Sequence, residues 1–88
     1  MRPGAVVSGK AFATERGDVV LAGISSQPPR DEFDVPLVEW GAVGLISPSK
    51  VRVGQFRTVP RNGRYMFIGR LDDHQLVTIR ERIAAVFR

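Results

Sequence analysis

Apolar positions along this chain fall into short bursts bounded by glycine, proline and serine, and only near the end do they take up helical spacing. The first burst, Ala5-Val6-Val7-Ser8, follows Arg2-Pro3-Gly4 and reads as a strand. Pro3 has no N–H and suits the start of a strand at a sheet edge. Lys10 to Asp18 is polar apart from Ala11, Phe12 and Ala13, and Arg16-Gly17-Asp18 reads as a turn. Val19-Val20-Leu21-Ala22-Gly23-Ile24 is a continuous apolar run of strand length and is predicted to be the most buried strand. Ser25-Ser26-Gln27-Pro28-Pro29 ends it, with two hydroxyls that either cap a turn or are held out towards a ligand. After the charged segment Arg30 to Glu32, the residues Phe33, Val35 and Leu37 alternate with Asp34 and Pro36, which predicts a half-buried edge or bulged strand. Trp40 reads as a partly buried packing residue.

The stretch from Gly44 to Thr58 organises the rest. Pro48 and its flanking serines make a turn, and Val51, Val53, Phe56 and Val59 supply strand-forming content. Arg52, Gln55 and Arg57 interrupt it, so the strand presents polar groups on a second face or at a mouth of the sheet. Gly54 lies among them and suggests a bulge that shifts the alternation between Val53 and Gln55. Pro60-Arg61-Asn62-Gly63-Arg64 is a basic turn with a hairpin signal, and Tyr65-Met66-Phe67-Ile68 is a further short strand. One helix is expected from about Asp73 to Phe87. Asp72 is its N-cap, Gln75 completes a capping-box pattern, and Leu76, Ile79, Ile83 and Val86 or Phe87 form the apolar face. The elements together predict a mainly β domain with a C-terminal α-helix, curved into a small antiparallel barrel or sheet.

Length makes residues 1–88 a single domain near the lower end of what folds alone, and no cysteine is present to staple a weak core. The lack of cysteine, of an apolar leader and of a membrane span makes a cytoplasmic location the expectation. The net charge of +4 comes almost wholly from arginine, since Lys10 and Lys50 are the only lysines, and arginine suits bidentate recognition of phosphate and base edges. No glycine-rich phosphate loop or Cys/His zinc set occurs, and no cofactor is implied. His74, the only histidine, sits in the first turn of the predicted helix and reads as a surface residue. The acids Asp18, Asp31, Glu32, Asp34 and Glu39 read as solvated loop residues rather than metal ligands.

Five ordered blocks carry a resemblance: Arg-Pro-x-x-Val-Val-Ser at 2–8, Val-Val-Leu-Ala-Gly-Ile-Ser-Ser at 19–26, Phe-x-Val-Pro-Leu at 33–37, Gly-Leu-Ile-x-Pro-Ser-x-Val-Arg-Val-x-Gln-x-Arg-Thr at 44–58, and Ile-Gly-Arg-Leu-x-x-x-x-Leu at 68–76. In that order and spacing the chain resembles the MazF/PemK (Kid) toxins of type II toxin-antitoxin systems. The resemblance implies an SH3-like barrel of the CcdB/PemK type, a homodimer, and a metal-independent endoribonuclease that cuts single-stranded RNA at short sequences and is silenced by the tail of a cognate antitoxin. It also implies roles for particular residues. Arg2 matches the arginine of the family's Arg-Pro motif and is the expected phosphate clamp, and Ser25, where the family usually has threonine, is the expected hydroxyl donor to the phosphate. Ser26 and Arg52 fall at substrate-binding positions of the matched blocks, and Gln55 and Arg57, which match the family's Gln-x-Arg-Thr, either contact substrate base edges or brace the loop.

The chemistry supports electrostatic roles. Cleavage through the 2′-hydroxyl needs the phosphate charge stabilised by preorganised donors. An arginine with a pKa above about 12 is a poor proton shuttle and a good clamp. Two departures stand out. Gly54 replaces an acid often found there, which should slow cleavage or alter the recognised sequence. The chain also starts at the Arg-Pro motif, so the expectation is either that the start given is late or that the domain lacks the family's N-terminal strand and the loop that follows. Two competing readings stay open: a non-catalytic, CcdB-like or degenerate toxin acting by protein binding, and a plain RNA-binding barrel.

Overall fold

A computed structural model describes residues 3–63 and 69–88. Among these, β1 (Gly4–Val6), α1 (Lys10–Arg16), β2 (Asp18–Ser25), β3 (Asp34–Pro36), β4 (Lys50–Pro60) and α2 (Asp73–Val86) follow in order. The strands form one antiparallel sheet in the order β1-β2-β4-β3, so among the described residues β1 and β3 are edges, in accord with Pro3 and Pro36. The mainly β fold with a C-terminal helix is as the sequence leads one to expect. The proposed strand at Tyr65-Met66-Phe67-Ile68 lies outside the described residues, while the turn before it is present, with Gly63 N–H donating to Pro60 O at 3.1 Å.

The core forms where α2 lies on one face of the sheet. Ala22 of β2, Val35 of β3, Val51 and Val53 of β4 and the fully buried Ile79 of α2 meet there, with Trp40, Leu71 and Ile83 packed around them. Burying Ile79 contributes about 1.5–3 kcal/mol. Asp72 caps α2 by accepting from Gln75 N–H at 2.7 Å. The Gln75 side chain departs from the capping box. It reaches across to the end of β3 and the residues after it, where Nε2 donates to Pro36 O and Oε1 accepts from Val38 N–H. Arg80 fastens the helix to the end of β1 through Val7 O and Ser8 O. The apolar face stops at Ile83, since Val86 is exposed and Phe87 is 79% exposed. His74 is exposed, and Trp40 is half-buried, as read from the sequence.

Several expectations are corrected. The polar segment after Gly9 is a helix, α1, whose C-cap Gly17 takes a left-handed conformation (φ 68°). Glycine at both ends and the helix-forming Lys-Ala-Phe-Ala-Thr-Glu-Arg between them are the signal for it. The strand β2 is not the most buried one. Only Ala22 in it is buried, because alternate residues point away from the core. Nor is Asp34 a solvated loop acid. It lies in β3 and is 4% exposed, paired with Lys50, which is 1% exposed. No helix among the described residues is long and apolar enough to cross a membrane.

Candidate functional site

The face of the sheet turned away from α2 is set by the register of β2 against β4. From Asp18↔Pro60 to Ala22↔Phe56 the pairing is regular, and it then jumps to Gly23↔Arg52, Ile24↔Val51 and Ser25↔Lys50. Val53, Gly54 and Gln55 therefore have no partner in β2. This is the bulge that Gly54 suggested, and Gly54 occupies it with φ 100°, a conformation that side-chain-bearing residues rarely adopt. Three is an odd number, so the bulge inverts the alternation of β4. Arg52 and Arg57, five positions apart, would face opposite sides of a regular strand. Directly opposed residues share a face. Arg52 is opposite Gly23 and Arg57 is opposite Leu21, and Gly23 and Leu21 lie on the same face as Ser25. Both guanidiniums thus join the serine.

Gln55 joins them from within the bulge. A Cβ placed on Gly23 would lie 3.7 Å from Gln55 Oε1 and 4.0 Å from its Cβ, so the glutamine side chain lies over the glycine. Ser25 Oγ accepts from Gln27 N–H at 3.1 Å, a turn-capping bond that leaves the hydroxyl proton available to a ligand. Ser26 is the exposed residue that follows. Arg2 lies outside the described residues. Its neighbour Pro3 accepts from Ile24 N–H at 3.1 Å, one residue from Ser25.

Arg52 Nε is buried and has no hydrogen-bond partner among the described residues. Arg52 is opposite Asp34 in β3, yet the carboxylate is taken by other donors. Oδ2 accepts from Lys50 Nζ at 2.7 Å, from Arg30 N–H at 2.8 Å and from Arg30 Nε at 3.3 Å. Burial acts to raise the Asp34 pKa, but the bond from Lys50 and those from Arg30, with the Lys50 charge, outweigh it and hold the group at about 2. Lys50 Nζ also donates to Pro28 O at 2.7 Å. Local patterning could not find this pair, since its two members are joined only through the β3–β4 register. An open cleft of about 530 Å³ lies elsewhere, between β3 and α2. Asp31, Glu32, His74 and Arg82 are among the residues that line it, and none of Ser25, Arg52, Gln55 or Arg57 does, so it is separate from the face described above.

Comparison with known proteins agrees with this architecture. A family model described as PemK-like, MazF-like toxin of type II toxin-antitoxin system matches residues 1–87. Among solved structures, the Mycobacterium tuberculosis toxin MazF-mt6 is 24% identical, with a TM-score of 0.81 over 98% of this chain and 85% of that one. The Deinococcus radiodurans MazE-MazF structure is 21% identical, with a TM-score of 0.76 over 98% of this chain and 80% of that one. A structure described as an endoribonuclease from Mycobacterial species is 16% identical, with a TM-score of 0.81 over 98% of this chain and 79% of that one. No curated protein matches. With four strands of antiparallel sheet among the described residues, a terminal helix and a family match over almost its whole length, the chain belongs to the PemK-like, MazF-like toxins of type II toxin-antitoxin systems.

Proposed function

We propose that this toxin is a metal-independent endoribonuclease acting on single-stranded RNA, and that the face carrying Ser25, Arg52, Gln55 and Arg57 binds the scissile phosphodiester. The observation that carries the reading is the odd-numbered bulge at Gly54, which brings these polar groups to one face. In the reaction, the ribose 2′-oxygen attacks phosphorus and loses its proton. The bond to the 5′-oxygen breaks and that oxygen takes up a proton, leaving a 2′,3′-cyclic phosphate and a 5′-hydroxyl. Charge on the non-bridging oxygens grows as the pentacoordinate phosphorus forms, and donors already in place there lower the barrier.

Arg52 supports this role because its desolvated Nε has no acceptor among the described residues, and a phosphate oxygen supplies one. The Ser25 hydroxyl donates from the end of β2, and Arg57 adds exposed positive charge. Arg2 is assigned as the phosphate clamp on its Arg-Pro motif and on the placement of Pro3 beside Ile24. Asp34 is no proton acceptor near neutrality, since its pKa is held at about 2. The face therefore works by electrostatic stabilisation. Gln55, with an amide that both donates and accepts, reads a base edge next to the cut, and Ser26 contacts the neighbouring backbone. The Deinococcus MazE-MazF structure supports an antitoxin as a protein partner, and the family fold supports a homodimer in the cytoplasm.

Incubating the protein with end-labelled single-stranded RNA, with and without EDTA, tests the reading. Discrete fragments ending in 2′,3′-cyclic phosphate are expected, equally with chelator, and Ser25→Ala or Arg52→Ala should slow their appearance about 10²-fold. Intact RNA, or alanine variants that cut at the wild-type rate, would refute it.

A further inference from the structure

We infer that the Lys50–Asp34 pair is a positioning device, which holds the segment behind Ser25 and Ser26 so that their hydroxyls meet the phosphodiester; the inference rests on the nuclease reading above. Beyond Ser25 the chain leaves the β2–β4 ladder and does not re-enter the sheet until Asp34. Pro28 and Pro29 have no N–H, so this segment has few groups of its own with which to be tied down. Among the described residues, the backbone of 26–30 is tied at three points. Gln27 N–H donates to Ser25 Oγ, Pro28 O accepts from Lys50 Nζ, and Arg30 N–H donates to Asp34 Oδ2. Two of these three ties end on the buried pair.

Stability alone is a weak reason for the pair. A buried ion pair spends most of its mutual attraction on desolvation, and apolar residues of similar volume often do as well or better. An apolar pair has no group with which to hold a carbonyl at Pro28 and an amide at Arg30. Lys50 and Asp34 do both at once, and Lys50 stands directly opposite Ser25 in the ladder. Loosening the two ties leaves Ser25 at the end of its strand with a mobile turn behind it. A misplacement of about 1 Å at a reacting group can cost about 10²-fold in rate.

The test compares wild type with the double variant Lys50→Met/Asp34→Leu on an RNA oligonucleotide carrying a mapped cleavage site. The double variant is expected to melt within a few degrees of wild type. Its kcat should fall tenfold or more while KM changes less than about threefold, and the Arg30 amide should lose protection from hydrogen exchange. The neutral polar pair Lys50→Gln/Asp34→Asn, which keeps a donor for Pro28 O and an acceptor for Arg30 N–H, should restore kcat to within about threefold. If the apolar pair does not fold, Lys50→Met/Asp34→Asn takes its place; it loses only the Pro28 tie, and an intermediate kcat is expected. A folded variant lacking either tie that cuts as fast as wild type overturns the positioning role alone. A wild-type protein that leaves RNA intact overturns the nuclease reading, and any catalytic role for the pair with it.

Discussion

Replacing Lys50 by methionine tests the electrostatics of this fold most directly, because it removes one partner of a pair whose side chains are almost fully buried. The methionine fills similar volume, so what is lost is the 2.7 Å bond to Asp34 Oδ2 and the bond to Pro28 O. A buried carboxylate stripped of its buried cation, with only the largely exposed Arg30 left at 3.3 Å, costs about 3–5 kcal/mol. A domain of this length is stable by about 4–13 kcal/mol, at 0.05–0.15 kcal/mol per residue, so the single variant gives up a large share. At about 4–8 °C per kcal/mol, Tm at pH 7 falls by at least about 12 °C. The pH dependence gives an independent check on the same interaction. In wild type the folded pKa of Asp34, about 2, lies below its ordinary value of 3.8, so its contribution is complete above pH 3.8 and is lost as pH falls towards 2. That contribution is about 2 kcal/mol.

In Lys50→Met the burial that raises the Asp34 pKa remains, and the largest influence that lowers it is gone. Protonation then relieves the folded state instead of weakening it. The stability gap between wild type and variant should be widest at pH 6–7 and should narrow as pH drops towards 3. Urea unfolding followed by circular dichroism at pH 7, 5, 4 and 3 measures it. A gap under about 1 kcal/mol at pH 7, or one that stays constant down to pH 3, would show that the carboxylate does not depend on Lys50.

Gly54→Ala forces a Cβ into φ 100° and should cost about 1–2 kcal/mol in stability. Cleavage should fall by more than that loss explains when the variant is assayed well below its Tm, because the bulge sets which way Arg57 and Gln55 point. At Gly69 a Cβ would run into the backbone carbonyl of Val43, so Gly69→Ala should destabilise by about 1–3 kcal/mol in thermal unfolding and leave KM for RNA unchanged. Arg57→Ala removes exposed charge, and the slope of log affinity against log salt for RNA binding should become shallower by about 0.7, one phosphate contact on a single strand.

How far the sequence speaks for the structure depends on whether a feature is local. The helix at the C-terminus was legible because Asp72 and the spacing of Leu76, Ile79 and Ile83 are all contained in one segment, and the observed element ends within one residue of expectation. The bulge was legible for the same reason, since a glycine stands where the apolar positions Val51 and Val53 give way to Phe56. The helix α1 was not. It is seven residues long with none buried, so it has no apolar stripe to betray it, and isolated helices of that length are marginal. Tertiary bonds hold its end, with Arg61 N–H donating to Gly17 O. Asp34 was misread because alternation along β3 assigns it to the side away from the core and says nothing about what else lies on that side. Its partner is sixteen positions further on, and only the β3–β4 register reveals it.

The β2–β4 register changes what the glycine at position 54 means. Set beside the family pattern, it looks like the loss of an acid from the site. In the structure its positive φ makes it the residue the bulge requires, and a side chain there would work against the turn of the strand. What the face gains is charge of one sign. The bulge adds Arg57 to Arg52, and the carboxylate opposite Arg52, Asp34, is already balanced by Lys50 and Arg30. A carboxylate left free at that position would pair with Arg52 and compete with a phosphate for it. With Asp34 engaged elsewhere, Arg52 keeps a buried nitrogen that has no acceptor among the described residues, and an anion brought to the face from outside is a favourable way to satisfy it.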